Sequence, residues 1–199
     1  MIKVTMLRHF ATKGNLEKRY VGSTDEPILE KNFSPENKNI EEKRINMNLN
    51  EIEAVYVSPL LRCVQTAEIV FPNFKMIRVP DLKESDFGKF EYKNHQELEQ
   101  NTSYQRWIDS NGTIPFPKGE SRESFQRRCT LAFEGIMRGA EGKGYREIAL
   151  VVHGGTIMSI LDRFSHPHVD FFQWQLENGR GYRMDWDTCG RLENICCIR

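Results

Sequence analysis

Two histidines in this chain each close a run of apolar and β-branched residues and open onto a polar, glycine-containing stretch. His9 follows MIKVTMLR and precedes Thr12, Lys13, Gly14 and Asn15; His153 follows EIALVV and precedes Gly154, Gly155 and Thr156. An imidazole can serve as nucleophile or proton carrier, and paired glycines ahead of a helix expose backbone amides to an anion. Arg8 adds a cation beside His9. Arg62, in LLRCVQTAEIV, falls where the first turn of a helix is expected, and a cation there opposes the helix dipole. A guanidinium donates in pairs and stays charged, which suits a phosphoryl oxygen.

Phosphoryl chemistry at an imidazole also needs an acid for the departing oxygen. The stretch DLKESDFGKFE offers Asp81, Glu84, Asp86 and Glu91, and the pattern of residues does not choose among them. Each feature alone has a plainer reading. An Arg-His pair can be an inert strand end, Arg62 can lie along the surface past Leu60 and Leu61, and loop carboxylates are mostly solvated. Two separate strands ending in histidine weigh more, because parallel strand ends converge on one crevice.

The elements that must carry these residues are legible in outline. Buried strands are expected over residues 2–7, 53–57, 75–79 and 147–152. Ser34-Pro35 and Ser58-Pro59 read as N-caps followed by proline, opening helices over ENKNIEEKRIN and LLRCVQTAEIV. Residues 92–140 read as a mainly helical cap, with helices over 96–107 and 121–137 joined by NGTIPFPKGE. Residues 171–198 read as a meander: FFQWQL, a hairpin turn at Asn178-Gly179, GYRMDWD, a turn at Cys189-Gly190, and RLENICCI. The expected fold class is α/β. It is a three-layer α/β/α arrangement with a mostly parallel central sheet, an antiparallel edge and a small helical cap, in a single domain over residues 1–199.

Composition narrows the function further. Lys plus Arg and Asp plus Glu are 28 each, so net charge gives no reason to expect nucleic acid or an acidic membrane surface as partner. No apolar run approaches the ~18 residues of a membrane span, and the N-terminus lacks a signal-peptide pattern, so a cytoplasmic location is expected. The five cysteines form no C-x-x-C pair and read as reduced thiols. His166 and His168 lack a third ligand at metal spacing, and His95 reads as an exposed helix residue; no metal or other cofactor is expected.

Five segments carry a resemblance. LRHFATKGN, SPLLRCVQTAEI, LKESDFGKFE, KGESRESFQRR and VVHGGTIMSIL occur in the order and spacing of the histidine phosphatase superfamily, with its phosphoglycerate-mutase-like fold. Among its branches the chain looks most like the small phosphatases, including the α-ribazole phosphatase type, since the mutases are longer. The resemblance implies a metal-independent phosphomonoester hydrolase acting through phosphohistidine on a small phosphorylated metabolite, α-ribazole phosphate being one such substrate. It implies that His9 is the nucleophile, that Arg8 and Arg62 hold phosphate oxygens, and that His153 donates to them. It selects Glu84 as the acid, places Asn15 and the amides near Gly154 at the phosphate, and puts Gly22 in a segment lining the substrate side. A mutase-type phosphotransferase and a non-catalytic phosphate-ester binding module are the alternatives; the oligomeric state is not indicated. The chain departs from the family at Phe10, where glycine is usual, at Ala11, at Gly14, and over residues 31–50. Phe10 is expected to narrow or reshape the pocket rim, so the departures bear on substrate more than on reaction.

Overall fold

Alternation along three strands sorts their side chains onto two faces of one sheet. In the computed structural model, which describes residues 1–33 and 49–198, β1 (Ile2–Arg8), β2 (Ala54–Val57) and β4 (Glu147–Val152) are almost wholly buried. Val4, Met6, Ala54, Tyr56, Ile148, Leu150 and Val152 pack into one core, while Leu7, Val55, Val57, Ala149 and Val151 pack into another. A strand buried on both faces reads as a continuous apolar run, which is why these three were legible in sequence. The six strands lie in the order β3-β2-β4-β1-β5-β6. β3 (Met76–Arg78), β2, β4 and β1 are parallel, and β5 (Gly181–Trp186) and β6 (Leu192–Ile198) form the antiparallel edge.

Helices cover both faces. The first core is closed by α5 (Arg122–Lys143) and α6 (Gly154–Phe164), through Phe133, Met137, Ile157 and Leu161. The second is closed by α2 (Leu61–Val70), which follows the one-turn helix α1 (Lys13–Leu16) in the chain, through Cys63, Val64, Ala67 and Val70. Ser121 caps α5 and Gly144 ends it in the left-handed conformation, at φ 70°. A third, smaller core of Phe90, Leu98 and Tyr104 lies under the cap, with Tyr20, Phe87, Trp107 and Phe116 packed against it. The helix expected over ENKNIEEKRIN lies outside the described residues.

Four expectations are corrected. The segment FFQWQL is no strand: Phe171–Trp174 form a 3-10 turn. β5 pairs with β1 on one side and β6 on the other, so β5 itself has no free edge with which FFQWQL could form a hairpin. Asn178-Gly179 is consequently no hairpin turn. Gly179, at φ 76°, feeds the chain into β5, and the hairpin proper is closed at Gly190, at φ 77°. The helix expected over 96–107 is broken into α3 (His95–Leu98) and α4 (Thr102–Asp109). Asn101 breaks it, because its side chain accepts from the amides of Ser103 and Tyr104 and starts a new helix. Lastly, Ser58 does not cap α2. Leu60 holds the N-cap position, and Asp25 Oδ1, from a distant loop, accepts from the Leu61 amide at 2.6 Å.

Candidate active site

Register delivers the two histidines side by side. Arg8 pairs with Val152 in the parallel β1·β4 ladder, and the His9 amide donates to the Val152 carbonyl at 3.0 Å. The rings of His9 and His153 therefore meet edge to face, with centroids 5.2 Å apart. His9 Nδ1 lies 2.7 Å from the Phe10 carbonyl, which can only accept, so the proton sits on Nδ1 and the Nε2 lone pair is free. Burial, and then the Arg62 charge, push the His9 pKa well below 6.5 and keep the ring neutral. The same two causes, with His9 third, lower that of His153. His153 Nε2 shares a 2.7 Å hydrogen bond with Ser58 Oγ, which is the work Ser58 does in place of capping.

Both expected arginines reach this corner with a donor to spare. Arg62 is wholly buried; its Nη1 donates to the Thr24 carbonyl and its Nη2 to those of Val21 and Gly22, at 2.8, 3.3 and 2.9 Å. Arg8 Nη1 donates to the Leu176 carbonyl. In each guanidinium the Nε donor is buried and has no partner. Buried N–H groups are rarely left unpaired, and two charged ones at the end of one sheet form a cradle for an anion.

Gly22 serves the site from behind and is not among the cavity-lining residues. Its carbonyl takes Arg62, its amide donates to Glu91 Oε1 at 2.9 Å, and a Cβ there would lie 2.0 Å from the Ser85 carbonyl. Its neighbour Val21 lines the cavity. Glu84 is the carboxylate that reaches the site. Its Oε2 accepts from the Gly155 amide at 3.1 Å and its Oε1 from the Ser85 amide at 2.9 Å. Of its rivals, Asp86 accepts from the amide of Gly88 in its own loop, and Glu91 is taken up by the amides of Gly22 and Thr24 on a distant segment. Gly154 lets the Arg8 guanidinium lie on the helix start, since a Cβ there would stand 3.3 Å from it. Asn15 Oδ1 accepts from the Thr12 amide and from Asn178 Nδ2, and Asn178 Nδ2 also donates to the His9 carbonyl. The Asn178-Gly179 turn thus buttresses His9.

A cavity of about 370 Å³ opens here, lined at its inner end by Arg8, Asn15, Glu84, Gly154 and Gly155. His9, Arg62 and His153 are buried, each one residue or one hydrogen bond from Arg8, Val21 or Gly154 in that lining. The outer wall is aromatic: Tyr20, Phe87, Trp107, Phe116, Phe171 and Phe172. Phe10 takes no part in it. The Phe10 ring is buried in the core beneath α2, and its amide donates to Thr66 Oγ1, so it does not shape the rim as expected. Among the described residues no group of three or more His, Cys, Asp or Glu could hold a metal, and no helix is long and apolar enough to cross a membrane.

A mostly parallel sheet with helices on both faces, an antiparallel edge and a polar site beyond its strand ends defines an α/β protein of phosphoglycerate-mutase-like fold. The chain belongs to the histidine phosphatase superfamily (branch 1), whose profile matches residues 4–194. It is 28% identical over 165 residues to a broad-specificity phosphatase of Saccharomyces cerevisiae, covering 81% of this chain and 69% of that one. It is 25% identical to an adenosylcobalamin/alpha-ribazole phosphatase of Escherichia coli, over 81% of this chain and 78% of that one. A 2,3-bisphosphoglycerate-dependent phosphoglycerate mutase of Rhizobium etli is also 25% identical, over 80% and 78%. In fold it is similar to the crystal structure of the alpha-ribazole phosphatase from Shigella flexneri, with a TM-score of 0.76 at 22% identity, covering 94% of this chain and 92% of that one.

Proposed function

We propose that the chain hydrolyses phosphomonoesters through a phosphohistidine at His9. The observation that carries this is the neutral His9 ring, its Nδ1 proton held by the Phe10 carbonyl and its Nε2 lone pair free, beside two buried guanidinium Nε donors that lack partners. A phosphate dianion takes those donors, with the Asn15 side chain and the Gly154 amide beside it. Nε2 attacks phosphorus in line; the N–P bond forms as the ester P–O bond breaks, and its electron pair leaves on the ester oxygen. Glu84 gives that oxygen a proton, then removes one from the water that hydrolyses the phosphohistidine to inorganic phosphate. The hydroxyl of Ser58 can donate to His153 Nε2, an arrangement that leaves the His153 proton on Nδ1 as a further donor. The arginines supply the charge stabilisation that a divalent cation supplies in other phosphoryl transfers.

The aromatic wall favours an alcohol that carries a flat, weakly polar ring. α-Ribazole phosphate, the kind of ester implied by the name of the Escherichia coli relative, is of this kind. One observation favours the mutase alternative: Arg122 lines the cavity, stacks on Phe171 at 4.3 Å, and has no carboxylate partner among the described residues, so a carboxylated sugar phosphate would find a cation there. Activity on p-nitrophenyl phosphate is expected to survive EDTA, to vanish in His9→Ala, and to yield an acid-labile phosphoenzyme. Activity that needs metal, or that persists in His9→Ala, sinks the reading. Ranking kcat/KM over α-ribazole phosphate, sugar phosphates and 3-phosphoglycerate, the last with bisphosphate primer, separates hydrolase from mutase.

A further inference from the structure

Glu84 is carried by a stretch that is neither helix nor strand, between 3-10 turns at Pro80–Leu82 and Gly88–Phe90. One side chain of α5 holds that stretch. Arg128 Nη1 donates to the carbonyls of Asp81 and Lys83, each at 2.8 Å, and Nη2 donates to the carbonyl of Glu84 at 3.0 Å. The other edge of the guanidinium is gripped by Glu120, with Nε to Oε1 at 2.9 Å and Nη2 to Oε2 at 2.8 Å. Glu120 then donates its own amide to the Asp86 carbonyl at 2.9 Å. The segment 81–86 is therefore bracketed on both sides of Glu84 by one ion pair at the start of α5. That pair is mostly covered, with side-chain exposures of 22% for Arg128 and 14% for Glu120. The Arg128 guanidinium also lies 4.9 Å over the ring of Phe125, which lines the cavity.

None of these bonds reaches the Glu84 carboxylate, which is turned toward Gly155. We propose that Arg128, locked by Glu120, is a positioning residue for Glu84: it fixes the backbone from which the carboxyl reaches the departing oxygen. This rests on reading Glu84 as the proton donor. Proton transfer needs an approach of about 2.6–3.2 Å, and a displacement of about 1 Å costs roughly 100-fold in rate. Lysine cannot replace the fork, because a single ammonium cannot hold three carbonyls and a bidentate carboxylate at once.

The test compares an alkyl phosphate, whose oxygen leaves only when protonated, with p-nitrophenyl phosphate, whose anion leaves unaided. Arg128→Lys is expected to lower kcat on the alkyl ester about 30-fold, to change kcat on the aryl ester less than about threefold, and to leave both KM values unchanged. In a Glu84→Gln background the same substitution is expected to cost nothing further on the alkyl ester. Glu120→Gln, which keeps the side-chain size and loosens the grip, is expected to show the same selectivity with a smaller loss, and stands in if Arg128→Lys does not fold. Equal losses on the two esters, or an undiminished loss beside Glu84→Gln, overturn the positioning role. If Glu84→Gln by itself depresses both esters equally, the acid reading fails, and that result is read with Arg128 intact.

Discussion

Arg62 combines two demands that lysine cannot meet together. It satisfies the carbonyls of Val21, Gly22 and Thr24 while keeping Nε for a ligand. Arg62→Lys is therefore expected to lower kcat/KM by about 100-fold or more, the usual effect of losing one preorganised donor, with steady-state kinetics as the check. The same substitution strands buried carbonyls, so the midpoint of thermal unfolding should fall with it. Phe10 behaves in the opposite way. Its ring belongs to the core under α2, and Phe10→Ala should cost about 3–5 kcal/mol in chemical denaturation with KM unchanged. A changed substrate ranking in that variant would place the ring at the pocket after all.

At the scale of elements, the 3-10 turn Phe171–Trp174 lends Phe171 and Phe172 to the aromatic wall of the cavity. Phe171 packs edge to face on Phe172, 5.1 Å between centroids, and Arg122 lies over both rings. Phe172 is 60% exposed, so truncating it removes little core. Phe172→Ala is expected to raise KM for ring-bearing phosphomonoesters about tenfold, the loss of one stacking contact, and to leave short alkyl esters and the unfolding midpoint unaltered. A uniform loss on all esters would assign the turn to the phosphate end instead.

Across the whole molecule, two neutral histidines are buried at the ends of β1 and β4, and stability acquires a pH dependence from them. Their native pKa values lie well below 6.5, so at mildly acid pH the unfolded chain binds protons that the native state refuses. Their contribution is complete above that value and is lost as pH falls through it toward the native pKa values. Thermal midpoints should hold steady from about pH 8 to 7 and decline below about 6.5, and the double variant His9→Asn, His153→Asn should decline less steeply over the same window. An unchanged slope in the double variant would shift the effect to the carboxylates.

The sequence by itself determined the doubly buried strands, because continuous apolar runs report burial on both faces, and it determined that two of them, β1 and β4, deliver a histidine. It also placed the start of α5 at Ser121, whereas α6 begins at Gly154, inside the glycine pair that reads from sequence as lying ahead of the helix. Only the tertiary structure decided what lies across from what. Glu84 was separable from Asp81, Asp86 and Glu91 by residues alone only through a family likeness, since the Gly155 amide it meets lies far along the chain. Ser58 looked like a cap and holds His153; Asn178-Gly179 looked like a hairpin and buttresses His9; Phe10 looked like a rim residue and fills the core. Each error has one cause. Turn chemistry and residue type are local, whereas the occupied edges of β5, the reach of Asp25 to α2 and the grip of Arg128 on the Glu84 loop exist only once distant segments have met.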